Sequence, residues 1–525
     1  MTLGRAGWLR GGGAAALVGL LAALAALATA ELAAAFLRPQ ASPVVAIGGA
    51  VIDATPRWLK EWAIRQFGTS DKLVLIGGIL VVLVPIAVGA GAVARRHRVI
   101  GIAGVVMLGC VGAAAAVTRP AAQLLDAVPS LMGAAVGSMA LTALVRALSP
   151  EASAPARSGK NQAPKQDVEV SRRRVLVTAG GIGAASLAGG VIGRRITATR
   201  NNVIASRAAV RLPTPTSAAV PLPGGVDLRL PGLTPFTTPT GDFYRIDTAI
   251  VVPQVSTDAW RLKIHGMVDR EIEIDFAQLI ARGMVERDVT LTCVSNEVGG
   301  GYAGNARWLG VPLVDLLKEV GVHPGADMVL SKSKDGMTIG TPTAALMDGR
   351  DALLAVGMNG VPLPPEHGFP VRMVVPGLYG YVSATKWVVD LELTTFADST
   401  AYWTERGWAE QGPILTASRI DTPQSGARPG TGKIPVAGVA WAQHRGISKV
   451  EVRVDGGPWQ QARLAEVPSV DTWVQWVWQW DATPGSHTLE VRATDTSGAT
   501  QTERRADPFP AGATGWHSRT VNVSA

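Results

Sequence analysis

Apolar residues are spread very unevenly along this chain of 525 residues. Before about residue 195 they form long unbroken stretches, and after about 241 they come in short runs broken by Gly and Pro. Five stretches reach or approach the roughly 20 residues that span a bilayer, at about 11–37, 72–94, 99–117, 128–147 and 175–193. The first is rich in Ala and Leu and carries one acidic residue, Glu31, near its end. Their Gly, Ala and Ser content suits close helix–helix approach within a bundle. The intervening stretch 43–68 holds Asp53, Arg57, Lys60, Glu61 and Arg65. It is too charged to span and reads as an external loop with an amphipathic helix.

The second half follows other periods. Residues 196–240, with Leu212-Pro213-Thr214-Pro215-Thr216, show little periodicity and read as a tether, with partial wrapping on the domain surface as the alternative. From 241 to about 410, strand-like runs (Trp260–His265, Val289–Val294, Arg372–Val375) alternate with helical patterns at Leu313–Val320 and Thr343–Met347. This predicts an α+β domain. From 411 to 525 the signals are all β. Ser448–Val454 runs into the turn Asp455-Gly456-Gly457-Pro458, Trp473–Trp480 sets Trp476, Trp478 and Trp480 on one face, and His487–Ala493 alternates again. About seven short strands in such a length predict an immunoglobulin-like sandwich. The expected organisation is therefore multidomain: a transmembrane helical bundle (1–195), a linker (196–240), an α+β domain (241–410) and an all-β domain (411–525).

Composition sharpens this reading. Only 17% of residues are charged, where about a quarter is usual for soluble proteins. The net charge is +8, yet Lys and Arg cluster beside apolar segments, which points to membrane topology rather than nucleic acid. Arg5 and Arg10, then Arg95, Arg96 and Arg98, then Arg157, Lys160, Lys165, Arg172, Arg173 and Arg174 all fall on one side of five crossings. That side is expected to be cytoplasmic, and everything after about residue 195 extracytoplasmic. The loop with Arg38, Arg57, Lys60 and Arg65 breaks the trend, partly offset by its acids. Ser171-Arg172-Arg173-Arg174-Val175-Leu176 resembles an internal twin-arginine export signal, and equally fits a stop-transfer basic cluster. His97 is the lone histidine before residue 200, so a bis-histidine haem in the bundle is not expected.

Two cysteines, Cys110 and Cys293, exclude a disulfide framework and a Cys-rich metal cluster. Cys110 falls mid-helix and reads as packing. Cys293 ends a strand-like run in Leu291-Thr292-Cys293-Val294-Ser295-Asn296, ahead of Gly299-Gly300-Gly301. Alone it reads as a small buried hydrophobe. As a functional group, a lone soft thiolate suits a metal whose other ligands come from a cofactor. The second constellation, His367-Gly368-Phe369-Pro370-Val371-Arg372, Pro376-Gly377, Gly380 and Lys386-Trp387, gathers cations amid glycines. Arg grips phosphate bidentately, and glycine turns add N–H donors. His265, His323, His444, His487 and His517 lack ligand-like spacing, and the tryptophans of the last domain read as core.

The segments Leu291–Asn296, Gly304–Leu313, Met358-Asn359-Gly360 and His367–Trp387 together resemble the sulfite oxidase family of molybdopterin enzymes over roughly residues 235–520. The resemblance implies Cys293 as the thiolate on molybdenum, beside two dithiolene sulfurs of one pterin. It implies His367, Arg372 and Lys386, with Thr385 beside them, as holders of the pterin and its phosphate. Asp242-Phe243-Tyr244-Arg245 resembles the family's first cofactor-contacting stretch, and Ser333 falls near another contact. Arg245 lies close to the family's anion-binding arginine, and a positive group there favours an oxyanion substrate. The all-β domain resembles the family's dimerisation domain, implying a homodimer. One departure stands out, because Gly336-Met337-Thr338-Ile339-Gly340 lacks the tyrosine that true sulfite oxidases carry there. With no haem domain legible, electrons are expected to pass to or from a quinone or a cytochrome. The expected activity is oxygen-atom transfer on a small sulfur or nitrogen compound, with repair of oxidised protein methionine as an alternative. A non-catalytic surface binding protein is the alternative of another class.

Overall fold

The computed structural model describes residues 12–67, 71–148, 166–200 and 203–525, some of the helical ones as backbone only. Arg5, Arg10, Arg157, Lys160 and Lys165, and the side chains of Arg57, Glu61, Arg65 and Arg172–Arg174, lie outside the described residues. The chain divides into two compact units, 1–202 with 249–252, and 203–248 with 253–525.

The first unit is helical: α1 (Gly12–Leu37), α2 (Pro43–Ala54), α3 (Arg57–Phe67), α4 (Asp71–Arg96), α5 (Arg98–Val117), α6 (Ala127–Leu148) and α7 (Gln166–Arg200). Among the described residues five helical segments are long and apolar enough to cross a membrane: Gly13–Leu37, Lys72–Arg96, Arg98–Val117, Leu124–Leu148 and Leu176–Gly193. At 1.5 Å per residue each reaches about the thickness of a bilayer's hydrocarbon core. α1 packs against α4, α6 and α7. Close approach follows from missing side chains. A Cβ on Gly19 would strike the carbonyl of Ala87, and one on Gly91 the carbonyl of Ala15. Outward positions are apolar, Val81 and Val99 being 70% and 79% exposed. Cys110 belongs with them: it is exposed on the outer surface of α5 rather than packed inside. Stretch 43–68 forms two helices rather than a loop with one, since Pro43–Ala54 is apolar and Ser42 caps it, accepting from the Val45 amide at 3.4 Å.

The second unit opens with the segment expected as a tether, and the structure gives the wrapped alternative, with side chains packed on the domain. Phe236 and Val226 are buried in the core, and Thr238 pairs with Asn305 through two backbone-mediated bonds of 2.8 and 3.1 Å. Polar composition misleads here because this segment's amides are satisfied by the domain beneath it. The strands are β1 (Arg261–Gly266), β2 (Ile272–Asp275), β3 (Val285–Thr292), β4 (Ala303–Pro312), β5 (Met328–Ser333), β6 (Thr338–Pro342), β7 (Leu353–Met358), β8 (Val361–Pro362), β9 (Arg372–Val374) and β10 (Val388–Thr394). They form two sheets, β2-β1-β10-β5-β6 and β3-β4-β7-β8, the latter with β9 added on β7. β1 and β10 run parallel, and every other pairing is antiparallel. Helix Leu313–Val320 buries Leu313, Leu316, Leu317 and Val320, the stripe its spacing predicts, and ends at Gly321 in the left-handed conformation.

The last part is a two-sheet sandwich of β11 (Ala417–Thr422), β12 (Gly432–Trp441), β13 (Ile447–Val454), β14 (Gln460–Gln461), β15 (Arg463–Leu464), β16 (Val474–Ala482), β17 (Gly485–Asp495) and β18 (His517–Val523), in the orders β11-β12-β16-β15 and β14-β13-β17-β18. Trp476 and Trp480 are core residues. Trp459 and Trp516 are not. They interleave with Arg453 and Arg492 on the face of β13 and β17, with guanidinium-to-ring distances of 4.3–6.0 Å.

Candidate active site

Strand β3 carries the central residue. Its period of two sends Val289 and Leu291 into an apolar cluster with Trp308, Leu353 and Phe369. Thr290 and Thr292 instead join a polar network with the sandwich. Thr290 Oγ1 accepts from the Trp473 amide at 2.8 Å, and Gln443 Nε2 donates to the Thr290 carbonyl at 2.9 Å and to Thr292 Oγ1 at 3.0 Å. At the end of this pinned strand the Cys293 amide donates to the Tyr302 carbonyl at 2.9 Å. The glycine loop that follows is held from the same side, since Arg419 Nη1 donates to the Gly300 carbonyl at 2.8 Å and Gly299 lies against the His517 ring. Cys293 itself is partly exposed. Burial raises its thiol pKa, opposed by the amide and hydroxyl of Ser295 and by the charge of Lys386.

A cationic cluster lies within electrostatic reach. Lys386 Nζ donates to Asp247 Oδ2 at 2.6 Å and to the Glu366 carbonyl at 3.3 Å. Arg245 Nε shares the same carboxylate at 2.9 Å. Arg372 is buried, donates from Nη1 to the His367 carbonyl at 3.3 Å, and lies 5.0 Å from the centre of the Trp308 ring. The His367 ring stands edge-on to Phe243 at 5.6 Å. Burial pulls Lys386 down to about 8, with Asp247 opposing and Arg372 and Arg245 adding to the fall. Burial, then Arg372 and Lys386, pull His367 down to about 4. Burial lowers Arg372 to about 10. Lys386 and Arg245 thus share one carboxylate, Arg372 and His367 lie within their electrostatic reach, and each of these shifts would be relieved by an added negative charge.

The remaining expected residues divide. Tyr244 is stacked on Phe243 at 5.2 Å, and burial and the neighbouring Cys293 raise its phenol. Thr385 is fully buried and bonded to Ser331 Oγ at 2.6 Å. Ser333 is 2% exposed, and its hydroxyl has no partner. Asp242 is exposed at the start of its segment. Arg245 reaches Asp247, and its charge is felt by His367 and Lys386. Sequence reasoning missed Asp247, although Arg245-x-Asp247 is a local ion-pair signal. What it could not show is that Lys386, 139 positions away, shares the carboxylate. It also missed Tyr302, whose ring lies 6.3 Å from that of Tyr244.

Residues 249–403 match the oxidoreductase molybdopterin binding domain, and residues 417–491 the bacterial Ig domain. The mitochondrial sulfite oxidase of Rattus norvegicus is 30% identical over 43% of this chain and 50% of its own length. The uncharacterized oxidoreductase YuiH of Bacillus subtilis is 32% identical over 29% of this chain and 74% of its own. Among solved structures, the sulfane dehydrogenase SoxCD from Paracoccus pantotrophus aligns over 55% of this chain and 84% of that one, at 24% identity and a TM-score of 0.49. The chain is a molybdopterin-binding oxidoreductase. It belongs to the sulfite oxidase family, and it spans about half the length of the sulfite oxidases it matches.

The site's own chemistry fits such a cofactor. A buried hydroxyl without a partner, Ser333 Oγ, lies on the strand residue paired with Val388, two positions after Lys386. Gly368, at φ +108°, brings the backbone against Arg372 and Lys386, where a Cβ would lie 2.9 Å from Arg372 Cβ and 3.2 Å from Lys386 Cα. The cations suit a phosphate, and the thiol is a soft donor.

Proposed function

We propose that this protein is a membrane-anchored oxidoreductase whose catalytic half lies outside the cytoplasmic membrane and which performs oxygen-atom transfer on a small sulfur or nitrogen oxyanion or its reduced partner. One observation carries the reading: a soft thiol, Cys293, beside a cluster of Lys386, Arg372, Arg245 and His367 in which a single carboxylate, Asp247, is shared by Lys386 and Arg245. When bound, the molybdenum cofactor supplies a two-electron centre that exchanges an oxygen atom between water and substrate.

The chain's residues do the rest. Cys293 provides a thiolate ligand, which the positive charge of Lys386 favours against the cost of burial. Lys386 and Arg372 hold the pterin phosphate, with Ser333 Oγ, Thr385 and Tyr244 as further polar contacts and Asp242 at the rim. His367, neutral at pH 7, presents one donor and one acceptor rather than a charge. Arg245 is the cation of this group with 30% of its side chain exposed, and so is suited to receive an anionic substrate. Phe243 and Trp308 exclude water behind the cations. Five crossings with basic residues between helices favour an internal N-terminus.

The test is a dye-coupled substrate screen on the full chain loaded with cofactor, with molybdenum content measured alongside. Sulfite oxidation is the expected activity. Sulfoxide reduction with no sulfite oxidation would instead select a methionine sulfoxide reductase; the missing tyrosine at 336–340 counts against sulfite without selecting this alternative. Absence of molybdenum from protein made under cofactor-competent conditions would leave only a binding protein.

A further inference from the structure

A cavity lies within the helical unit, among α1, α2, α4, α5 and α6, with a volume of about 130 Å³. Its walls are almost wholly apolar and include Ala23, Ala26, Pro43, Ile86 and Val105. Ser130, near the start of α6, also lines it and is 3% exposed. The Ser130 hydroxyl has no hydrogen-bond partner. A buried hydroxyl left unpaired among apolar side chains costs stability, and a hydroxyl on a helix usually avoids this by bonding to the preceding turn. The space beside it is comparable to the engineered apolar cavity of about 150 Å³ that takes up benzene.

We propose that this cavity is a binding site for the ring of a lipid-soluble benzoquinone or its quinol, with Ser130 Oγ hydrogen-bonded to one ring oxygen. An acyl chain would match the walls but leave Ser130 unsatisfied, whereas a quinone carbonyl or quinol hydroxyl satisfies it. The volume suits one six-membered ring, and a prenyl-type tail can leave between lipid-facing helices. The occupant rests on the oxidoreductase reading above: such an enzyme exchanges two electrons with a partner, and of the quinone and cytochrome expected from the sequence a quinone ring is the one that an apolar cavity between helices can admit. The balance closes in either direction. Oxidation of a substrate R with water gives RO, two protons and two electrons, and the quinone takes up both pairs to become the quinol; reduction of RO reverses each step.

The full chain in lipid nanodiscs, exposed to a short-tailed azidobenzoquinone and then illuminated, tests this. Peptide mapping is expected to find label on α1 and α6 around Ser130. Excess decylubiquinone should abolish the label, and decanol at the same membrane concentration should not. Ala23→Leu, which fills the cavity, should cut labelling at least tenfold, and the near-isosteric Ser130→Ala about fivefold. Competition by decanol equal to that by decylubiquinone, or labelling unchanged in both variants, would overturn the proposal in favour of a lipid-filled void. Dye-coupled turnover separates the two readings. Turnover without specific labelling sinks the quinone site alone, and specific labelling without turnover or molybdenum sinks the enzymatic reading alone.

Discussion

The helix contacts of the first unit and the surroundings of Cys293 in the second are built from different groups. Between the helices, backbones come close where a side chain is missing, at Gly19 and Gly91 between α1 and α4, and at Gly133 and Gly137 against Ala26 and Ala22. In the catalytic unit the closest arrangements around Cys293 involve large polar groups: Gln443 on β3, Arg419 on the glycine loop, and Lys386 and Arg245 on Asp247. The difference is the one that the proposed membrane anchoring predicts. Between helices in lipid there is little hydrophobic gain from association, so contact depends on close backbone approach. In a water-exposed domain apolar burial is already favourable, and polar groups can be buried where a ligand needs them, provided each finds a partner. The excess of cations over carboxylates at this site is the exception that marks it.

The sharpest break of that contrast is Cys293→Ser. Exchanging a soft donor for a hard one should lower dye-coupled turnover on the order of a thousandfold, about 4 kcal/mol of barrier. The melting temperature of the cofactor-free protein should be unmoved, and an unaltered turnover would remove Cys293 from the site.

Acid should strike the catalytic unit and spare the bundle. His367 and His517 are each held near 4 by burial, against 6.5 in the unfolded chain. Between pH 6.5 and 4 the unfolded chain therefore binds protons that the folded chain refuses, so stability falls as pH falls. Each histidine contributes at most about 3 kcal/mol, from 1.36 kcal/mol per pKa unit. Melts of cofactor-free His367→Gln from pH 7 to 4.5 should show roughly half the wild-type loss; an identical loss would mean that His367 is not the group titrating.

Lys386→Met removes the cation that Asp247 holds, and cofactor retention should fall on the order of 10- to 100-fold, as for groups that support a bound metal. Pterin content after gel filtration reads this out, and full retention would mean that the phosphate is held elsewhere. The smallest effect is expected in the other unit. Gly91→Ala drives a Cβ into the α1 backbone and should cost about 1 kcal/mol or slightly more of bundle stability. Dye-coupled turnover should be unchanged, and a loss of turnover would show that the units are not separable in this way.

The elements themselves were largely legible. Helix Leu313–Val320 and the alternation along β13, β16 and β17 stand where the periodicity puts them, because each buries one face against a core. The segment before residue 240 was not legible, since its partners, such as Asn305 and Gln475, lie far along the chain. Nor was the outward position of Cys110, because an apolar helix in lipid can turn any face to its surroundings.

Of the candidate site, the sequence carried the residue types and their order: one thiol, and His367, Arg372 and Lys386 among glycines. Its hydrophobic runs also determined five long helices, an α+β half and a β sandwich, because burial periods are local properties. Only the folded chain decided that Arg245 and Lys386 meet on one carboxylate, that the sandwich grips the strand ending at Cys293, and that Ser130 lines an apolar cavity. Those facts depend on distances between residues remote in sequence, and no local pattern encodes them.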